Sequence, residues 1–473
     1  MKFGINTHEN PTSIPIPFAV PVGIPFFIGA APIQSANNPA PVGMPVLCRS
    51  WDEAVAKFGF SEDWRKYNLS ENAHSHFVRY RRSPAVFCNL LDPETMSSAV
   101  TAEDFPVIDS QAKLPLEAMN NDSLVVRVSG SGNPLERGKD YDAFYFGQNL
   151  IVEVMEDGTA YTASQLNISY RAVNPAAVTD MRVATGLQAI DKCPTAVGLS
   201  PDLIVASGYS TNPIVAAAMA TKAEGIAGLF PAKALVDISS EKDGGATTHT
   251  EAMAMKDENA LVDKTQIVCW PMVKKRGRIY HMSTQLAGLM ARVDGDNNGI
   301  PYESPSNKPF EADAVVLADG TEVTLTHGEA NEMRNHGMVT ALNWIDGLTC
   351  WGSYTACWPH NDDPKDHFIP ISRMFGWLRS TLIWTHWRRL DRPMTPMFVE
   401  TMMDAINIWL NDLFGGGYIL GAWVVYKTEQ NPAEDLRRGI ARVHIFVSPP
   451  PPFQQADFFL EYDLGILELA FAA

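Results

Sequence analysis

At 473 residues the chain exceeds what one hydrophobic core usually organises, so roughly two to four domains are expected. A hydrophobic content of 46% with 19% charged residues is that of a globular protein and excludes intrinsic disorder. The formal net charge of −17 argues against nucleic acid and anionic membrane surfaces as partners, because an acidic surface displaces no counterions from phosphate.

In chain order, Asn10 to Pro25 carries Pro11, Pro15, Pro17, Pro21 and Pro25, which block helix and keep the chain extended. The pieces between them are apolar, as in Phe18-Ala19-Val20, whereas a flexible linker would be polar. This is an extended, adhesive arm. Phe26 to Pro32 reads as a buried strand ending in a turn, and Pro45 to Cys48 as another strand. Ser50 caps a helix, with Glu53 completing the capping pattern, that stops near Phe58-Gly59. Asn72 to Arg79 reads as a helix and Ala85 to Leu90 as the next strand, an α/β order.

From Asp92 to about Val178 helical periodicity is scarce, and strand-like runs fall at Leu124–Val128, Tyr141–Phe146, Leu150–Val154 and Leu166–Tyr170. The α/β rhythm then returns. Strands are expected at Leu203–Ala206, Ala234–Ile238 and Ile267–Trp270, and a closing pair at Val339–Trp344 and Leu348–Trp351. Helices are expected from Asn212-Pro213 to about Gly228 and over Thr284–Arg292. Two amphipathic helices follow, Arg373–Arg389 and Phe398–Leu413, the second halted by Gly415-Gly416-Gly417. Ala441–Val447 reads as a strand, Pro449–Pro452 as a stiff spacer, and Asp457–Leu469 as a second apolar strand-like arm.

The resulting fold class is a multi-domain α/β protein: an α/β core with an inserted mostly-β domain, a C-terminal α+β domain, and extended arms at both ends. The expected bounds are 1–25 for the N-terminal arm, 26–91 with 179–360 for the core, 92–178 for the insertion, 361–447 for the C-terminal domain and 448–473 for the C-terminal arm strand.

Searching for chemistry returns incomplete motifs. Asp294-Gly295-Asp296-Asn297-Asn298-Gly299 opens like a calcium loop, but its twelfth place is Pro305 where a bidentate Glu belongs. Gly208-Tyr209-Ser210-Thr211-Asn212 lacks the second glycine of a nucleophile elbow. No phosphate-binding loop is present, and His327, Glu329 and His336 lack the pairing of a zinc helix. Lys274, Lys275, Arg276 and Arg278 form either a surface turn or a contact for an acidic neighbour. Cys48, Cys88, Cys193, Cys269, Cys350 and Cys357 sit in apolar runs without a C-x-x-C pair and read as reduced buried thiols. No leader pattern opens the chain and no apolar stretch is long enough to span a bilayer, so folding in a cytoplasm is expected. No cofactor, metal or catalytic residue is expected.

Two apolar arms around an α/β core resemble the contractile tail sheath family. Gly23-Ile24-Pro25-Phe26-Phe27-Ile28-Gly29-Ala30-Ala31-Pro32 looks like that family's opening strand and turn, and Ser50 to Gly59 like the helix that follows. Pro201 to Ser210, Ala234-Leu235-Val236-Asp237, Ser304-Pro305-Ser306-Asn307-Lys308, Asn335-His336-Gly337, Trp351-Gly352-Ser353-Tyr354-Thr355 and Ile371-Ser372-Arg373 are similar to later family segments, in the family's order.

The resemblance implies a structural subunit that polymerises as stacked helical rings around a tail tube and contracts to drive the tube through a cell envelope. Its partners would be other copies of itself, the tail tube protein, and baseplate and tail-terminator proteins, with no nucleic acid and no membrane insertion. Its place would be a virion tail or a bacterial contractile particle, assembled in the host cytoplasm. Arm contacts between subunits would fall on Ile14, Ile16, Phe18, Val20 and Val22 and on Phe458, Phe459, Leu460, Tyr462, Leu464 and Ile466. Arg373, Arg379, Arg388 and Arg389 would face the tube or be solvated arginines of a core helix. Rival readings are another phage structural protein, of capsid or baseplate, and an α/β hydrolase-like enzyme using Ser210.

Overall fold

Burial on both faces decides the first strand. In the computed structural model, which describes residues 21–471 apart from Ser131 and Asp346, β1 (Pro25–Gly29) is buried at every position. Phe26 and Ile28 enter one apolar cluster and Phe27 the other, as alternation along a strand requires. β2 (Val46–Cys48) follows, then α1 (Trp51–Phe58). The Ser50 hydroxyl accepts from the Glu53 amide at 3.1 Å, the cap expected from the sequence. Gly59 ends α1 at φ +71°, where a Cβ would stand 2.4 Å from the Pro32 carbonyl oxygen, so no other residue fits. α2 (Asn68–Ala73) runs on as a wider π-type turn over His74–Arg79 and leads to β3 (Ala85–Asn89).

Six strands then form a separate antiparallel sheet: β4 (Ser97–Ile108), β5 (Gln111–Pro115), β6 (Val125–Arg127), β7 (Tyr141–Phe146), β8 (Asn149–Val154) and β9 (Gln165–Val173). Their order is β6-β9-β4-β5-β8-β7, around a core that includes Leu114, Val126, Leu150, Val152, Leu166 and Ile168. The pattern reading found β6 to β9 and missed β4 and β5. β4 is mostly exposed and carries Ser, Thr, Glu and Asp, and its register slips between Val100 and Glu103, which destroys the alternation.

After α3 (Asp180–Gly186) and α4 (Cys193–Ala196) the chain returns to the first sheet with β10 (Leu203–Val205), α5 (Pro213–Glu224), β11 (Lys233–Asp237), α6 (His249–Glu258) and β12 (Gln266–Cys269). The Asn212 side chain accepts from the Ile214 amide at 2.9 Å, with Pro213 beside it, so that residue serves as the helix cap. β13 (Met272–Lys275), β14 (Arg278–His281) and the later β15 (Ala314–Val316) make a small antiparallel sheet. Between them lies α7 (Met282–Asp296), and α8 (His327–Asn335), β16 (Met338–Trp344) and β17 (Gly347–Trp351) follow. The main sheet has the order β17-β16-β12-β11-β10-β1-β3-β2. Its six inner strands are parallel, and antiparallel strands close both edges.

The last part holds α9 (Pro364–His367), α10 (Ile369–His386), α11 (Pro396–Gly415), β18 (Gly421–Val425), α12 (Ala433–Arg437) and β19 (His444–Ser448). α10 and α11 bury the faces read from their periodicity, with Trp377 and Trp409 at 5.7 Å between ring centroids and Met374, Leu378, Ile406 and Leu410 around them. β18 and β19 form a two-stranded hairpin.

The expected strand over Asp457–Leu469 is corrected. No regular structure occurs from 449 to 463, and α13 (Leu464–Phe471) is helical. The Asp463 carboxylate accepts from the Gly465 amide at 2.8 Å and starts the helix, and Leu-, Ala- and Glu-containing turns favour it. An apolar run of this length does not by itself distinguish strand from helix.

Candidate assembly surfaces

Three places in the chain bear on the assembly contacts expected from the sequence. The first is the β18–β19 hairpin. The two strands pair only with each other, from Gly421–Ser448 to Val425–His444, so each has an outer edge without a strand partner in the described sheet. One face packs Ala422, Val424, Ile445 and Val447 against the α10–α11 cluster. The other presents Trp423 stacked on Phe446 at 5.2 Å, with the Lys427 ammonium 5.3 Å from the Phe446 ring.

The second is the C-terminal segment. Phe458, Phe459, Leu460 and Tyr462 are exposed, Leu460 by 97%, and Leu464 and Ile466 on α13 are exposed as well. Apolar side chains in water have a free-energy cost of about 25 cal/mol for each Å² left uncovered. Upstream, the chain is held at Gln454, whose amide oxygen accepts from Arg334 and from the Tyr354 hydroxyl.

The third is the N-terminal arm. Ile14, Ile16, Phe18 and Val20 lie outside the described residues. Val22 is described: it is half-buried and packs on the chain's own Met374–Trp409 cluster, at the root of the arm. The Ile24 amide next to it donates to Asp202 Oδ1 at 2.7 Å.

Of the arginines expected to face a tube, Arg373 is also corrected. It is 5% exposed, donating to Asp294 Oδ1 at 2.8 Å and to Asp202 Oδ2 at 2.7 Å, so it is an internal tie between α10, α7 and the arm root. The periodicity of α10 puts position 373 with Trp377, on the buried face, and two aspartates far away in sequence make that burial tolerable. Arg379 and Arg388 are exposed and Arg389 is half-buried. Arg388 and Arg389 line an apolar groove with Arg392, Trp387 and Phe398.

The incomplete motifs have structural occupations. Asp294 and Asp296 are inside α7, with Asp294 consumed by Arg373 and Asp296 by Arg82 at 2.5 Å. Ser210 is buried, its hydroxyl accepting from the Asp237 amide at 3.1 Å. Asp237 also accepts from the Ser283 amide at 2.9 Å, tying β11 to α7. His281 is pulled down by burial, but Glu71, 2.8 Å from Nδ1, and Asp237 outweigh this and push it up to about 9. In the basic turn between β13 and β14, Lys275 pairs with Asp313 at 2.8 Å and Arg278 with Glu62 at 2.5 Å. All six cysteines are free and buried. Among the described residues no group of three or more His, Cys, Asp or Glu is placed to hold a metal, and no helix is long and apolar enough to cross a membrane.

No family model matches the chain. The tail sheath protein of Burkholderia phage BcepMu is 23% identical over 483 residues, covering 97% of this chain and 96% of its own length. The tail sheath protein of Escherichia phage P2 is 24% identical over 309 residues, covering 64% of this chain and 74% of its own. Along nearly its whole length the chain is similar to contractile tail sheath proteins. Solved sheath structures have the same fold. The anti-feeding prophage helical sheath in its contracted state superposes with a TM-score of 0.58 at 15% identity, over 97% of this chain and 99% of that one. The sheath complex of an extracellular contractile injection system, PVC, also contracted, gives 0.58 at 14% identity over 98% and 99%. The two-stranded hairpin and the uncovered terminal segment are the exposed apolar features of this chain, and sequence reading missed the first strand of the hairpin. β18 was detectable only as the short alternation Gly421-Ala422-Trp423-Val424-Val425.

Proposed function

We propose that copies of this chain polymerise as stacked helical rings around a tail tube and that the sleeve contracts to drive the tube through a cell envelope. The observation that carries this reading is the pairing of donor and acceptor in one chain: an apolar segment uncovered on its own subunit and a two-stranded hairpin whose outer edges have no strand partner among the described residues. Beyond Gln454, which is held on the chain's own core, residues 455 to 463 extended would span about 30 Å. A fold of this size has a radius of gyration of about 22 Å, so the segment reaches a neighbour. Added to the β18 or β19 edge, it gains backbone hydrogen bonds, while its alternating side chains set register and cover the edge. The N-terminal arm, rooted at Ile24, is the second donor. A donor at one place and an acceptor at another make a heterologous contact, which propagates into an open helical array.

Strand links can hinge while they stay bonded, so subunits rotate into a denser array without dissociating. In this scheme the extended sleeve is kinetically trapped and contraction needs no nucleotide. The role is structural and not enzymatic, consistent with Ser210 and Asp294 being used up in packing. The six-stranded β4–β9 sheet, within the proposed insertion 92–178, faces outward, and Arg379 on α10 faces the tube. Baseplate and tail-terminator proteins hold the two ends of the sleeve in a virion tail or related particle.

Deleting residues 457–473 tests the reading. The expected product is a soluble, folded protein that forms no sleeves in negative-stain electron microscopy. Sleeves of normal length from that deletion would overturn the arm mechanism, and closed shells from the full chain would favour a capsid role.

A further inference from the structure

The strand expected at the C-terminus is interrupted by a helix, and a helix cannot join a sheet. α13 therefore needs a receptor of its own. Its sequence, Leu-Gly-Ile-Leu-Glu-Leu-Ala-Phe, is almost wholly apolar, and Leu464, Ile466, Leu469 and Phe471 are 63–83% exposed. Eight residues do not make a stable helix alone in water, so tertiary packing must supply the difference.

A matching cavity lies where the end of α10 meets the start of α11. It has a volume of about 920 Å³, with an apolar floor of Leu229, Phe230, Ile383, Trp384 and Phe398. Phe230 and Trp384 stack at 5.4 Å, which makes the floor rigid. Trp387 is 55% exposed at its edge. Arg388, Arg389 and Arg392 line it, and the acid that also lines it, Asp191, is already paired with Lys222. From Asp457 to Phe471 the chain carries Asp457, Glu461, Asp463 and Glu468 and no Lys or Arg. An eight-residue helix is about 12 Å long and about 10 Å across.

We infer that this groove is the receptor for α13 of a second copy of the chain. The apolar face of the incoming helix covers Trp387 and Phe398, and the acids before it meet the guanidinium groups. The C-terminal arm thus binds in two parts: the segment before Asp463 as a strand on the β18–β19 hairpin, and α13 as a plug in the groove. The inference rests on the arm-exchange reading. It adds a rigid end point, which stops the strand from slipping in register while subunits rotate.

The test is crosslinking within sleeves. Thr401→Cys in the groove and Leu469→Cys in α13 are made on separate, differently tagged chains and diluted into wild-type sleeves, so that assembly does not depend on them. The native thiols are buried, so a bismaleimide of about 8 Å reach reads only the introduced pair. The expected result is a heterodimer carrying both tags. A crosslink found only inside one chain bearing both substitutions, or only to the tube protein, or none at all, would overturn the inference. A second pair, Trp423→Cys with Phe459→Cys, reports strand addition. If that pair links and the groove pair does not, the groove inference alone falls; if neither links, arm exchange falls with it. In parallel, Arg388→Glu with Arg392→Glu should raise the concentration needed for sleeves by about tenfold, and Glu461→Lys, which leaves the Asp463 cap in place, should restore part of it. Unchanged assembly, or no restoration while the monomer melts normally, counts against the groove.

Discussion

Replacing Arg373 with leucine leaves two carboxylates facing a hydrocarbon side chain inside the protein. Arg373 donates to Asp294 Oδ1 at 2.8 Å, to Asp294 Oδ2 at 2.5 Å and to Asp202 Oδ2 at 2.7 Å, and the Asp294 side chain is 1% exposed. Removing one partner of such a buried pair costs about 3–5 kcal/mol. Burial already pushes the Asp294 carboxyl up to about 6 against the opposing pull of Arg373. Without the guanidinium it protonates more readily, which relieves part of the penalty and puts the expected loss near 3 kcal/mol. With a urea m-value of about 3 kcal/mol/M the unfolding midpoint falls by about 1 M. The assay is urea unfolding of dilute, unpolymerised chain followed by tryptophan fluorescence, with Asp294→Asn added to Arg373→Leu as the second corner of a cycle. The double variant should recover much of the loss, because the stranded charge is gone. A midpoint shift under about 0.3 M, or a double variant worse than the single, would refute the reasoning and reopen Arg373 as a surface residue.

Other outcomes follow from the same structure. His281, held at about 9 by Glu71 and Asp237, contributes stability that is complete below its ordinary 6.5 and is lost as pH rises to 9, so urea midpoints should fall across that window and Glu71→Gln should flatten the slope. Trp423→Ala removes a stacked ring from the open hairpin face, and should leave the monomer's unfolding midpoint nearly unchanged while sleeve yield drops several-fold by electron microscopy. The cysteines are buried, and burial pushes Cys48 and Cys88 up to about 12, so a thiol reagent should label native protein only at the rate of unfolding and all six sites in urea. Gly59→Ala should cost at least about 1 kcal/mol in urea unfolding, since a Cβ would collide with the Pro32 carbonyl.

Much of the core was legible because its signals are local. Ser50 and Asn212 announce helix starts by side-chain oxygens that do accept from the turn ahead, and the fully buried runs of β1, β3, β11 and β12 stand out as apolar blocks between turns. β4 was not legible, because a solvent-exposed strand with a register slip has neither alternation nor an apolar block. Arg373 was misread for a different reason: its burial depends on Asp202 and Asp294, which no local pattern links to it. The C-terminal run was recognised as uncovered apolar chain but assigned the wrong backbone, since the Asp463 cap was overlooked. The groove at Trp387 and Phe398 is built from three separate segments and has no signature in any one of them.

The most direct measurement is a cryo-electron microscopy reconstruction of the sleeve in which each chain is traced through residues 449 to 471. The account predicts that the part of this segment between Gln454 and α13 crosses to another subunit and lies along the outer edge of its β18 or β19. A trace in which both ends of every chain fold back onto the subunit they came from would contradict it.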